Sequence, residues 1–202
     1  PELTHEALRL GRVLAGLAPH EPEVHGLVAL MEIQASRTAA RVDRDGTPVP
    51  LLEQNRGRWD QLLIRRGYAA LLTAERLHRP PGPYVLQAAI AACHARARRA
   101  EDTDWVAIAA LYGSLRAITP TPIVELNRAV AVAMAYGPEK GLEILDGIGD
   151  LRGYHLLPSV RGDLLARLGR TAEARAEFAR AAELTRNERE RAVLRQRAGL
   201  TI

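Results

Sequence analysis

Apolar residues recur at helical spacing along almost the whole chain, with polar residues between them. The pattern predicts amphipathic helices, because residues three or four apart share one face of an α-helix. The first stripe predicts a helix over 2–17 and consists of Leu3, Ala7, Leu10, Gly11 and Leu14. Further helices are predicted at about 21–37, 56–77, 84–98, from Asp104 to the TPTP stretch at 119–122, at 123–136, 138–145, twice within 155–185, and at 188–200. Ala, Leu, Arg and Glu favour helix strongly, so the fold class is all-α.

The second helix is expected to bury one side, formed by Val24, Leu27, Val28, Met31 and Ala35. After it, the periodicity stops over residues 40–55. Asp45-Gly46 is a tight-turn signal, whereas Pro48 and Pro50 oppose a long strand. We expect an irregular loop here, or a short hairpin that pairs Val42 with Val49. Asp43 and Asp45 resemble the start of a calcium loop, but the later ligands are absent, so no metal site is predicted.

Residues 155–188 carry the most regular pattern. Gly162 and Phe178 sit on two successive helical stretches, Gly169 lies in the turn between them, and Ala174 and Ala181 are small residues at expected helix contacts. This is the skeleton of a tetratricopeptide (TPR) repeat, a helical pair that serves as a binding surface. We predict a TPR-like, right-handed helical solenoid of about ten helices, forming one domain over 1–202. The irregular loop at about 40–55 interrupts it, and a helix at about 188–200 caps it.

Composition restricts the partners and the cellular location that this domain is expected to have. The net charge of +4 and the pI of about 9.7 permit nucleic-acid contact without requiring it. The single Cys93 excludes an internal disulfide and suits a reducing cytoplasm. No apolar run approaches membrane-spanning length, so a cytoplasmic location is expected. The chain begins at Pro1, which fits either removal of an initiator methionine or a piece of a longer protein.

Residues for catalysis are not arranged at useful spacings. The six histidines are scattered, and neither a zinc-type pair nor a Cys-x-x-Cys motif occurs. Cys93 and His94 are adjacent on a helix and therefore point in different directions. Neither a glycine-rich phosphate loop nor a nucleophile elbow is present. The prediction is that the chain is not an enzyme and needs no cofactor or metal.

Candidate partner-binding residues are Arg56, Trp59, Asp60, Asp104, Trp105, Asn127, Arg128, Arg161 and Asp163. Asn127 and Arg128 lie on the first helix of a TPR-like pair, where they can hold a peptide backbone or a carboxylate. The alternative is that they, like Arg161 and Asp163, form interhelical hydrogen bonds and surface charges.

Structural roles are predicted for other charged and aromatic residues. Arg56 and Asp60 are spaced to pair on a helix surface. Asp104 belongs to an N-cap stretch. Helical spacing favours core packing over interface anchoring for Trp59 and Trp105. The C-terminal arginines could contact DNA phosphates, but interleaved glutamates favour a solvated, ion-paired helix.

Several segments together resemble one family: RVDRDG, LLEQNRGRWD, GPYVLQAAIAACHA, DTDWVAIAALYGSL, TPTPIVELNRAVAVA, GYHLL and LLARLGR. In this order they resemble the C-terminal TPR-like extension of bacterial extracytoplasmic-function sigma factors associated with DGPF-motif proteins, over about residues 5–195. The chain departs from that family before RWD, where Gln54, Asn55 and Gly57 replace an acidic stretch.

The resemblance implies a regulatory interaction domain. Its expected partners are the N-terminal sigma regions of the same protein, the RNA polymerase core and a regulator protein. DNA would be contacted only through the N-terminal regions, and no membrane contact is expected. The alternative hypotheses are a groove-type sensor for a peptide or small molecule and a stand-alone TPR adaptor.

Overall fold

The computed structural model describes residues 2–149 and 153–200, and these residues form ten α-helices and no β-strand. The all-α prediction is confirmed. Contacts between Cα atoms divide the chain into two compact units, Pro1–Thr119 and Pro120–Ile202. Within each unit, helices pack on their neighbours along the chain, as in helical-repeat proteins. The single domain expected over 1–202 stays a prediction.

The first unit contains five helices, and four of them begin at a proline or directly after an aspartate cap. They are α1 (Glu2–Leu17), α2 (Pro22–Ser36), α3 (Gln61–Arg76), α4 (Pro83–Arg96) and α5 (Trp105–Ile118). Pro22 and Pro83 occupy first helical positions, where the missing N–H is not needed. Asp104 caps α5 by accepting a hydrogen bond of 2.9 Å from the backbone N–H of Ala107, which confirms the predicted cap.

Helix α2 is the centre of the first unit. Helices α1, α3 and α4 all pack on it, and none of its residues is exposed. Of the side predicted to be buried, Val28 is buried, while Val24, Leu27, Met31 and Ala35 are half-buried. The deepest positions are instead Ala29, Glu32 and Ile33. A single-sided stripe is the wrong expectation for α2, because three helices cover it.

The interruption after α2 is a short hairpin followed by two 3₁₀ turns, Leu51–Glu53 and Arg56–Arg58. Val42 forms an isolated antiparallel bridge with Pro48, not with Val49. Gly46 has φ +78°, a conformation that suits a residue without a side chain. The Asp43 side chain accepts hydrogen bonds from the backbone N–H groups of Asp45 and Thr47, so it organises the turn.

Helix α3 begins five residues later than predicted, at Gln61 and not at Arg56. Asp60 is its N-cap and accepts hydrogen bonds from the backbone N–H groups of Leu62 and Leu63. Arg56 lies in the preceding 3₁₀ turn. The predicted Arg56–Asp60 pair on a helix surface is therefore wrong, because the two residues do not share a helix.

The second unit contains α6 (Pro122–Tyr136), α7 (Pro138–Asp146), α8 (Leu156–Arg167), α9 (Thr171–Leu184) and α10 (Glu188–Arg197). All five contribute to one core, whose buried members include Leu126, Leu145, Leu164, Phe178 and Leu194. Gly169 has φ +73° in the turn between α8 and α9, as the TPR pattern requires. Gly162 lies directly against the Phe178 ring, so a small residue stands where α8 and α9 touch, as the TPR pattern predicts.

Candidate functional site

Helix α1 carries apolar side chains that nothing in the described structure covers. Gly11 faces Val28 and Met31 of α2, and Leu8 is buried. The leucines on the neighbouring side of the helix remain exposed: Leu3, Leu10, Leu14 and Leu17, with Leu3 at 85% and Leu17 at 78% exposure. The stripe predicted from the sequence is thus wider than the side that α2 can cover. Clustered exposed leucines indicate an interaction surface.

A second notable region surrounds Arg56, whose guanidinium joins three parts of the first unit. Its Nη1 donates hydrogen bonds to the backbone carbonyls of His94 and Ala97, and its Nη2 donates to Thr103 Oγ1 at 3.3 Å. These acceptors lie at the end of α4 and just before α5. Arg56 therefore connects chain segments that are distant in sequence.

Trp59 is packed between two arginines. It is 3% exposed, and the guanidinium carbons of Arg56 and Arg37 lie 4.9 and 5.5 Å from its ring centroid. Arg37 donates hydrogen bonds to the side-chain oxygens of Gln54 and Gln34, which are neutral acceptors. Burial, followed by the nearby charges of Arg41 and Arg56, lowers the pKa of Arg37 to about 10. The guanidinium groups of Arg37 and Arg56 thus lie close together, and they donate hydrogen bonds to amide and carbonyl oxygens.

His94 lies at the edge of this positive region. Its ring packs edge-on against Trp105, with ring centroids 5.2 Å apart and an interplanar angle of 79°. Burial lowers the pKa of His94 from 6.5 to about 4, and the charges of Arg56 and Arg37 act in the same direction. Burial raises the pKa of the neighbouring Cys93 thiol. Neutral imidazole and neutral thiol are therefore the favoured forms near pH 7.

The predicted site residues of the first unit have definite structural roles. Trp59 belongs to the core, as its helical spacing suggested, while Trp105 is half-buried against His94. Asp60 and Asp104 are exposed helix caps. Arg56, Trp59 and Asp60 are close in sequence, and of these Arg56 contacts Thr103, which lies just before α5. Binding of a partner by any of these residues stays a prediction.

The predicted residues of the second unit take part mainly in ion pairs. Arg128 pairs with Glu125 on the same helix at 2.9 Å. Arg161 pairs with Asp146 of α7, and Asp163 pairs with Arg197 of α10. Asn127 is exposed. The interhelical contacts that were the alternative explanation are therefore present for Arg161 and Asp163.

Sequence reasoning missed the concentration of arginine around the Arg56 turn. Arg65 follows it on α3, and Arg96 and Arg98 stand at the end of α4. The sequence signal is the two arginine-rich segments IRR at 64–66 and ARARR at 95–99. Their proximity in space was not readable, because it depends on how α3 packs beside α4.

Among the residues that the structure describes, no group of three or more His, Cys, Asp or Glu side chains is placed to hold a metal ion. None of the helices in 2–149 and 153–200 combines the length and apolar character needed to cross a membrane.

Comparison with known proteins finds similarity to uncharacterized sequences. Residues 1–75 match the model of a family described as a family of unknown function (DUF6596). An uncharacterized protein of Rhizobium meliloti (strain 1021) is 48% identical over 195 residues, which cover 96% of this chain and 46% of that protein. The chain thus spans less than half the length of this relative. No solved structure matches the chain.

Proposed function

We propose that this chain is the regulatory interaction domain of an extracytoplasmic-function sigma factor and works in the cytoplasm. It modulates transcription initiation by contacting the sigma regions that bind DNA and RNA polymerase. RNA polymerase core or a regulator protein can share this contact, whereas DNA is reached only through the sigma regions. The ordered segments from RVDRDG to LLARLGR support the proposal at the level of sequence.

The exposed leucine face of α1 is the structural observation that carries the proposal. Leu3, Leu10, Leu14 and Leu17 follow one another at intervals of seven, four and three residues, so they share one side of the helix. Such a face has the spacing with which an amphipathic helix docks on another protein surface. Covering four leucines supplies the apolar burial that drives most association between proteins.

The occupant we assign to this face is the sigma part of the same, longer protein. The rhizobial relative supports this choice, because more than half of its length lies outside the match. A segment tethered to the domain meets α1 at high effective concentration, which adds to the affinity that the leucine face supplies by itself.

Binding of the purified chain to two baits tests the proposal. The baits are the part of the rhizobial relative outside the match and bacterial RNA polymerase core. The expected result is capture by at least one bait. Capture should be lost when Leu10→Glu and Leu14→Glu are combined, because two carboxylates would have to be desolvated at the contact.

Val193→Glu is the matched control, since Val193 is 55% exposed on α10 and lies in the other unit. Capture of this variant should equal that of the parent chain. Failure of the parent chain to bind either bait contradicts the proposal. Equal binding by the α1 double variant would instead reject α1 as the contact surface.

A further inference from the structure

A cavity of about 530 Å³ lies between the Arg56–Arg58 turn, α3 and the end of α4. Its volume falls in the range of sites for small organic molecules, roughly 300–1,000 Å³. Its charged lining consists of arginines: Arg56, Arg65, Arg96 and Arg98. No aspartate or glutamate is among its lining residues in the described part of the chain.

Among the residues that the structure describes, no ion pair neutralises these four arginines directly. Arg56 is bound to backbone carbonyls and a hydroxyl. Arg96 lies over the Tyr68 ring, 5.6 Å from its centroid. The side chains of Arg65 and Arg98 form no hydrogen bond or ion pair with other described residues. The nearest acidic influence on Arg56 comes from Glu101 and Asp102, both of which pair with Arg99.

Two further lining residues carry buried polar atoms that lack a partner among the described residues. These atoms are Trp59 Nε1 and Tyr68 Oη. Burial raises the pKa of Tyr68, so its hydroxyl keeps its proton and can donate. A buried donor without an acceptor is unfavourable, and native structures seldom retain one without a reason. The residues that line the cavity therefore combine excess positive charge with unused hydrogen-bond donors.

We propose that this cavity binds a small molecule through a phosphate group. Arginine's planar fork matches phosphate oxygens with two parallel hydrogen bonds. A phosphate dianion also offers more negative charge and more acceptor oxygens than a carboxylate, which suits four arginines and two further donors. The proposal is independent of the sigma-factor assignment, because it rests on this cavity and not on the α1 face.

Calorimetric titration at constant ionic strength tests the site with inorganic phosphate and with adenosine monophosphate. Saturable binding is expected for at least one probe. Stronger binding of the nucleotide identifies a phosphate ester as the ligand class, and stronger binding of inorganic phosphate identifies the free ion. If neither probe shows saturable binding, the proposal is overturned. Binding of single-stranded RNA without binding of either small probe would overturn it as well.

Two double variants distinguish binding at this cavity from attraction of phosphate by the overall positive charge of the chain. Arg65→Gln combined with Arg98→Gln should weaken binding about tenfold or more, because two charge-assisted contacts are lost. Arg58→Gln combined with Arg66→Gln removes the same charge from exposed residues that do not line this cavity, and should leave affinity within about twofold. Equal weakening by both pairs overturns the proposal.

The two tryptophans provide a direct readout of position. In a proton–nitrogen NMR spectrum, the indole N–H signal of Trp59 should shift on phosphate addition more than that of Trp105. The Trp105→Phe variant assigns the two signals. A shift confined to Trp105 would place the ligand elsewhere and overturn the assignment of this cavity.

Discussion

Arg12 and Glu32 connect helix α1 to helix α2 through an ion pair of 2.7 Å between Arg12 Nη2 and Glu32 Oε1. The two partners differ sharply in burial: the Glu32 side chain is 2% exposed, whereas the Arg12 side chain is 45% exposed. Arg12 Nε donates a second hydrogen bond to the same oxygen at 2.8 Å. Within 2–149 and 153–200, Glu32 Oε1 thus receives its hydrogen bonds from one arginine, and that arginine still contacts solvent.

Replacement of this arginine should destabilise the first unit. Arg12→Met leaves the Glu32 carboxylate buried without its counter-ion, and we expect a loss of about 2–3 kcal/mol in the free energy of unfolding. Urea denaturation measures this loss. Arg9→Met on the same helix is the control, since its pair with Glu6 is exposed to solvent and its loss should leave the free energy of unfolding nearly unchanged. Equal effects of the two substitutions would contradict the importance of burial at Glu32.

Arg56 should be a stability determinant of the loop that precedes α3. Arg56→Ala removes the donors for the His94 and Ala97 carbonyls and for Thr103, and we expect a loss of about 2 kcal/mol or more. Arg56→Lys should be intermediate, because one ammonium group cannot reproduce the geometry of the guanidinium fork. Chemical denaturation checks both variants. Arg58→Ala, an exposed change in the same turn, should lie within about 0.5 kcal/mol of the parent.

Acidification should destabilise the chain through His94. The pKa of His94 is lowered to about 4 in the folded state, against 6.5 for an unperturbed histidine. Between pH 6.5 and pH 4, His94 takes up a proton in the unfolded chain but stays neutral in the folded one. The contribution of His94 to the free energy of unfolding is therefore fully present above about pH 6.5 and is lost as the pH falls towards 4. The contribution of this one group is at most about 3 kcal/mol. His94→Gln should flatten the dependence of unfolding free energy on pH over this window, and an unchanged slope would refute the prediction.

The contact between Gly162 and Phe178 can be tested by adding one methyl group. A Cβ on Gly162 would lie 2.6 Å from Phe178 Cε1, so Gly162→Ala should destabilise by about 1–3 kcal/mol despite the better helix propensity of alanine. Gly113→Ala is the matched control, because nothing lies within 4 Å of a Cβ there. That change should stabilise by about 0.5–1 kcal/mol. Thermal denaturation of both variants decides the point, and a stabilised Gly162→Ala protein would contradict it.

Local sequence signals predicted the helices well where caps and breakers were clear. The first helix is predicted over 2–17 and is found at Glu2–Leu17, where the nearby Pro19 marks its end in the sequence. The start of α3 was misplaced at Arg56, although Asp60 carried a readable N-cap signal. The apolar spacing around Trp59 is consistent with a helix that starts at Arg56. Trp59 is buried for another reason, because the 3₁₀ turn before it packs on the core.

The candidate sites depended on contacts between distant segments and were therefore harder to predict. Arg56 reaches acceptors 38 to 47 residues away in sequence, and no local pattern encodes that distance. The arginine-lined cavity likewise requires α3 and α4 to lie side by side. The leucine face of α1 was visible as a stripe, but its exposure depends on how much of α1 is covered by α2.

The central position of α2 has a consequence for synthesis of the protein. The ribosome releases α2 before α3 and α4, so the nascent chain exposes Ala29 and Ile33 until both later helices have emerged. Domains generally acquire stable packing as units during translation. A nascent chain that ends within α3 should therefore remain protease-sensitive and be held by chaperones, whereas one that extends past Arg96 has every helix that α2 needs.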